Sequence, residues 1–318
     1  MTLNLNLYSL ARGGFAAVLA LSLAACGGGS ESDGPSSAVA DAEAARIGTL
    51  YRYTQTLGSV MLTGLTEVGV GSRRAGTRSC TSGGSVTYTD TTPNPAGDPQ
   101  STISFSGCQE AIGTIQGSMQ VKHLLVRLNE EGAGTFNVAW SANLTVDGYA
   151  MSFESVSGTV TRSATGSVQI ETYGAKDNAL QLTAPDERSV QFSDARIAVS
   201  HDPATGVANF GGSDVQMRSV STADLNALLR TASLSAPATA STSGVVSIGL
   251  PQSGSLSYRR SFDETGTDLV GAGTTSGGLL NLTIDSLPAK YGFPGSAGQY
   301  VWSSLLANPG FSLPSAAP

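Results

Sequence analysis

The stretch TFNVAWSANLTVDGYAMSFES, residues 135–155, decides the architecture. Phe136, Val138, Trp140, Ala142, Leu144 and Val146 alternate with Asn137, Ala139, Ser141, Asn143 and Thr145. A period of two puts every large apolar side chain on one face of an extended strand. Asp147-Gly148 then supplies the positive φ angles of a two-residue hairpin turn. Tyr149, Met151 and Phe153 carry the apolar face back on the return strand, provided Val146 faces Tyr149 across the turn.

The same period recurs along most of the chain. STISFS (101–106) and GTIQGSMQVKHLLVRLN (113–129) read as strands, with a phase slip near Lys122-His123 that predicts a β-bulge. SVQIET, ALQLT, SVQFSD, ARIAVS, GVANF and DVQMRSV follow, and DPATG (202–206) reads as the turn between ARIAVS and GVANF. VVSIGL, SLSYRRSF and LLNLTID resume the pattern further on.

Helical spacing occurs in three places. Ile47, Leu50, Leu57, Met61, Leu65 and Val68 form one stripe over 39–68, with Asp41 and Glu43 near the start, and Gly58 and Gly64 predict a break near 63. Leu225, Leu228 and Leu229 predict a short helix over 221–231, and GQYVWSSLLA a second near the end. SLSAPATASTSG (233–244) reads as an exposed loop or a domain boundary. The expected fold is mainly β: an antiparallel meander, sandwich or half-open barrel-like sheet with an N-terminal helix packed on it. It spans 38–318 as one domain, with a disordered C-terminal tail.

The N-terminus carries a different signal. Residues 15–25, FAAVLALSLAA, are too short to cross a bilayer and match the apolar core of an export signal. Leu23-Ala24-Ala25-Cys26 resembles the lipobox of bacterial lipoproteins. The resemblance implies a signal peptide over 1–25, lipidation of Cys26 and cleavage before it. Gly27 in the next position resembles the pattern sorted to the outer membrane of a Gram-negative envelope. GGGSESDGPSS (27–37) lacks apolar side chains and reads as a flexible tether.

With Cys26 committed to lipid, Cys80 and Cys108 remain, and an even pair in an exported protein most simply forms a disulfide. Neither lies in CxxC or near a histidine with ligand spacing. Cys80, Gly83, Gly84, Phe105 and Cys108 also resemble a Cys-x-x-Gly-Gly…Phe-x-x-Cys strand pair of envelope lipoproteins, a resemblance that brings no activity with it.

Motifs that carry chemistry are sparse. The two histidines, His123 and His201, sit in no metal-ligand pattern and read as surface or strand-end residues. No Gly-x-Ser-x-Gly elbow occurs, and Ser286 and Lys290 lie one residue too far apart for a Ser-x-x-Lys pair. Gly271, Gly273 and Gly277 read as loop glycines, and Asp263, Glu264 and Asp268 as a solvated turn, as do Glu130 and Glu131. Trp140, Leu144, Tyr149, Met151 and Phe153 are assigned to core or an apolar pocket, and Trp302 to core. A net charge of −7 without a basic patch excludes nucleic acid as a partner. An integral barrel is disfavoured by the 6% aromatic content, which is low for interfacial girdles. The functional expectation is a membrane-anchored, non-catalytic binding or structural protein without cofactor. A carrier of a lipid or other amphiphile, with a cavity between sheet and helix, is the alternative, and a hydrolase the second alternative.

Overall fold

The computed structural model describes residues 37–66, 75–91, 100–124, 133–173, 180–183, 189–211, 213–219, 226–231, 233–261, 268–286 and 295–307. All belong to one compact unit, Pro35–Pro318. The lipobox, the tether up to residue 36, Glu130-Glu131, Asp263, Glu264, Lys290 and the C-terminal tail lie outside the described residues, and Ser37, assigned to the tether, opens the first helix.

The order opens with helix α1 (Ser37–Thr66) and strands β1 (Gly76–Ser79), β2 (Ser85–Thr91), β3 (Gln100–Glu110) and β4 (Gly113–Leu124). Next come β5 (Gly134–Val146), β6 (Tyr149–Arg162), β7 (Val168–Tyr173), β8 (Leu180–Thr183), β9 (Ser189–Arg196) and β10 (Ala198–Asp202). Then follow β11 (Val207–Phe210), β12 (Ser213–Ser219), β13 (Asn226–Thr231), β14 (Leu234–Ala240) and β15 (Val246–Ile248). The chain closes with β16 (Ser253–Ser261), β17 (Asp268–Ser276), β18 (Leu279–Ile284), β19 (Ser296–Val301) and helix α2 (Trp302–Ala307).

Every described pairing is antiparallel, and the sheet is a meander at both ends with a branched middle. β1 through β6 pair in sequence. β6 is long enough to hold two short strands end to end, β7 beside residues 157–162 and β8 beside 150–152. The split continues: β7 pairs with β10, β10 with β11 and β11 with β14, while β8 pairs with β9, β9 with β12 and β12 with β13. Both branches rejoin at β16, which leads to β17, β18 and β19. No pairing among the described residues links β19 to β1, so the sheet is open.

The hairpin over 135–155 forms in the expected register, with Val146 opposite Tyr149 and positive φ at Asp147 (49°) and Gly148 (84°). A bulge between Trp140 and Ala142 leaves an extra residue on β6, where Ser155 takes φ 52° and its N–H donates to Ser141 Oγ (3.0 Å). The bulge expected at Lys122-His123 is absent: β4 pairs with β5 without a slip from Ile115 to Leu124. On the β3 side the ladder slips instead between Phe105 and Cys108.

Other expectations are corrected. Asn226–Thr231 is strand β13, because its leucine-rich segment is paired on both edges, by β12 and by β16. Residues 233–244 are neither exposed loop nor boundary. Leu234, Ala236 and Ala238 are buried in β14, and the chain then turns directly into β15. Gly271 and Gly273 lie within β17, where the side chains of Ile284, Leu280 and Leu256 fill the space a side chain of their own would take. Near the end, only Trp302–Ala307 is helical; the residues before it form β19.

The largest departure concerns α1. It runs 30 residues unbroken, and it does not lie on a sheet by one stripe. From Tyr53 to Leu65 every residue except Gln55 is buried. The open sheet curls around the helix and fills its own interior with it. Gly64 faces β4 and β5: a Cβ there would stand 2.8 Å from Val121 Cγ2 and 3.1 Å from Met119 Cε. Gly58 likewise faces Phe210 at 3.0 Å and Ile248 at 3.2 Å. Close approach of the walls, rather than a break, is the reason for both glycines.

A helix enclosed by strands must also satisfy any strand edge turned inward. β15 pairs with β14 on one edge and presents the other to α1. There the Ile248 N–H donates to Ser59 Oγ (3.1 Å) and the Val246 N–H to Thr63 Oγ1 (2.9 Å). Gln55 Nε2 donates to the carbonyls of Ile248 (2.6 Å) and Gly249 (2.9 Å). Residues 55, 59 and 63 lie four apart, on one helix face, and act as the missing neighbour strand.

The outer face of the sheet is polar, with Gln116, Ser118, Gln120 and Lys122 of β4 and Asn137 and Asn143 of β5 all exposed. That polarity is the reverse of a membrane-spanning barrel, whose apolar band faces outward. No described helix is long and apolar enough to cross a membrane.

Removing a hydroxyl from the inward stripe strands a buried N–H. Ser59→Ala and Thr63→Val should each cost about 1–3 kcal/mol in urea unfolding. Thr49→Val, on the half-exposed side of α1, should stay within about 0.5 kcal/mol. Equal losses at all three positions would contradict the pairing described.

Candidate functional site

The disulfide forms as expected, with Cys80 and Cys108 bridged at an S–S distance of 2.01 Å. It ties the β1–β2 turn to β3. Gly84 (φ +72°) has to be glycine, because a Cβ there would meet the Gly107 carbonyl oxygen at 2.0 Å. The turn is also held by backbone bonds: Ser82 N–H donates to Gln109 O (3.1 Å) and Gln109 N–H to Gly83 O (2.9 Å). This backbone-on-backbone docking is the physical content of the Cys-x-x-Gly-Gly…Phe-x-x-Cys pattern.

Beyond the second cysteine sits Glu110, which joins three parts of the molecule. Its carboxylate accepts the Thr81 N–H (3.1 Å) and Thr81 Oγ1 (2.6 Å) from the disulfide turn. It also accepts Ser243 Oγ (2.7 Å) from the β14–β15 turn, which has crossed the sheet's interior to reach it. Tyr88 O–H fastens the same turn by donating to Ser243 O (2.9 Å). Burial alone would raise the Glu110 carboxyl, but the hydrogen bonds from Thr81, Ser243 and Ser241 outweigh it and hold the group below its usual range. Glu110 lies near both cysteine sulfurs, yet a disulfide offers no thiolate to a metal.

Beside this junction opens a cleft of about 390 Å³ at one end of the curled sheet. Its floor is Arg52, Gln55 and Thr56 of α1. One wall is the β3–β4 turn with Glu110 and Ile112, and the other is β14 and β15 with Pro237, Thr239 and Ser247. Arg52 is already engaged: its Nη2 donates to Asp147 Oδ2 (3.1 Å) and its Nη1 to the Leu306 carbonyl (2.8 Å).

The residues assigned to core or pocket come together as core. Trp140, Leu144, Met151 and Phe153 are all buried on the sheet face turned toward α1. Tyr149 is half-buried at the margin, where a cavity of about 20 Å³ lies against Arg52 and Thr56. Trp302 is fully buried, its ring packed at a tilt with its centroid 5.0 Å from that of Tyr51, and its Nε1 donates to Thr275 Oγ1 (3.1 Å). His201 lies next to last in β10, at a strand end, and is buried rather than on the surface; desolvation lowers its pKa and the charge of Asp202 partly offsets that. Ser286 and Asp268 lie within the described residues, whereas Lys290, Asp263, Glu264 and the His123 side chain do not.

Sequence reading missed Glu110, Arg52 and Ser243. Glu110 and Ser243 lie 133 residues apart and share no periodicity. It also assigned Glu43 to a helix N-terminus, whereas α1 starts at Ser37 and Glu43 is buried against the wall. Glu43 Oε2 accepts the Tyr258 O–H (2.6 Å), and Oε1 is paired with Arg46 and with Arg260 (3.5 Å). Burial, then the Glu43 charge, pushes the Tyr258 phenol well above its ordinary pKa.

Compared with protein-family models, curated proteins and solved structures, the chain matches none of them.

Two measurements probe the junction. The double variant Cys80→Ala/Cys108→Ala, opening a loop of 28 residues, should lose about 3–4 kcal/mol of stability. The Glu110 pKa is depressed on folding, so its contribution is complete above the unfolded carboxyl value of about 4.3 and fades as pH falls through the folded one. Unfolding free energy should therefore drop more steeply for wild type than for Glu110→Gln below pH ~4.3. Parallel curves would remove Glu110 from the account.

Proposed function

We propose that this chain is a lipid-anchored protein of a Gram-negative envelope, attached at the outer membrane through Cys26, with a non-catalytic binding or structural role. The lipobox-like segment supports the attachment. The polar outer face of the sheet supports a domain that stands in water beside the bilayer. What carries the choice of role is the occupied interior. α1 fills the concavity that an amphiphile carrier would keep open, and Gly58 and Gly64 leave no slack along it. Binding is then left to the surface and to the cleft at one end.

Metabolic labelling with palmitate tests the anchor. Wild type should incorporate label and sediment with membranes, and Cys26→Ser should do neither. Native mass spectrometry of the protein extracted from membranes tests the role. A mass equal to the lipidated chain alone is expected; a stoichiometric second lipid would restore the carrier. Unlabelled protein released to the medium would overturn the anchor.

A further inference from the structure

We propose that the cleft beside α1 binds a small organic cation with a short apolar body, an alkylammonium or a comparable amine. The charge balance of the lining points there. Three ionisable side chains face the cleft: Arg52, Asp147 and Glu110. Arg52 and Asp147 pair with each other, and the remaining oxygen of Asp147 accepts the Thr114 N–H (2.8 Å). Glu110 is different. Its bonds come from neutral donors, the hydroxyls of Thr81, Ser243 and Ser241 and the Thr81 N–H, and among the described residues no cation pairs with it. A half-buried carboxylate held ionised without a counter-ion favours a positive ligand, because a charge-assisted bond there is stronger than a neutral one.

The rest of the cleft sets the ligand's shape. Ile112, Pro237, Leu250 and Leu306 give it an apolar side. Thr56, Thr239 and Ser247 add hydroxyl groups to the lining and supply neutral polar contacts. A volume near 390 Å³ equals that of about a dozen waters. It admits a short amine and excludes a diacyl lipid. The floor is pre-formed, since Gln55 is fixed by β15 and Arg52 by Asp147 and Leu306. The inference rests on the binding role proposed above and not on the lipid anchor, so palmitate labelling and the measurement below fail independently.

The test is calorimetric titration of the full chain, purified in non-ionic detergent, with hexylammonium, hexanol and hexanoate. Hexylammonium should saturate one site about tenfold more tightly than hexanol, and hexanoate should not bind. Glu110→Gln should abolish the preference for charge. Because that change also loosens the disulfide turn, two rim variants at exposed Thr239 serve beside it. Thr239→Trp fills the cleft and Thr239→Lys places a cation in it; each should weaken hexylammonium about tenfold or more with the melting temperature unchanged. Equal affinity for the three probes, no saturation by roughly 10 mM hexylammonium, or full binding by both rim variants would overturn the proposal.

Discussion

A strand edge turned into an apolar interior has to find hydrogen bonds there, and β15 finds them on a helix. An unpaired buried N–H costs about 1–3 kcal/mol, so two of them would offset a large part of a domain's net stability. Gln55, Ser59 and Thr63 remove that cost and in doing so fix both the rotation and the axial position of α1. Once the helix is fixed, the walls follow. Gly58 and Gly64 face the strands that approach closest, and Glu43 reaches the Tyr258 hydroxyl on β16. A greasy helix in a greasy trough could slide; this one cannot without stranding polar groups.

That arrangement also explains which parts of the fold the sequence reveals. Alternation over 135–155 identifies the hairpin because one face meets the helix and the other meets water, so the pattern is complete on both sides. The Cys80–Cys108 bridge is legible for a chemical reason, the pairing of thiols left in an oxidising compartment. The helix is only half legible. One apolar stripe is visible in it, but Ser59 and Thr63 lie off that stripe and its glycines look like breaks, because propensity is judged without the walls. Leu228 and Leu229 keep helical spacing with Leu225 in the sequence, but tertiary pairing over Asn226–Thr231 overrides that local preference where strands are already aligned on both sides. The Ser/Ala/Thr run at 233–244 resembles a linker because small residues suit a strand packed tightly in the interior.

The cleft was illegible for a different reason. Glu110 gains its meaning from Thr81 and Ser243, and neither separation corresponds to any local period. Charged residues are scarce, at 13%, and some of them tie together elements far apart in the chain. Arg52–Asp147 links α1 to a hairpin turn, and Glu171–Arg196 links β7 to the end of β9. Such half-exposed pairs contribute little each. They orient elements that packing and backbone ladders have already stabilised.

The burial of α1 has a kinetic consequence. The helix lies at the start of the folded unit, while its hydrogen-bond partners Ile248 and Tyr258 lie 189 and 215 residues further on. During synthesis the helix emerges long before the strands that surround it, and contacts at such separations form slowly because long loops must close first. The native interior therefore cannot assemble until the last third of the chain has arrived. Until then a stretch of exposed leucine, tyrosine and methionine needs protection from aggregation, and assembly ends with the enclosure of its earliest segment.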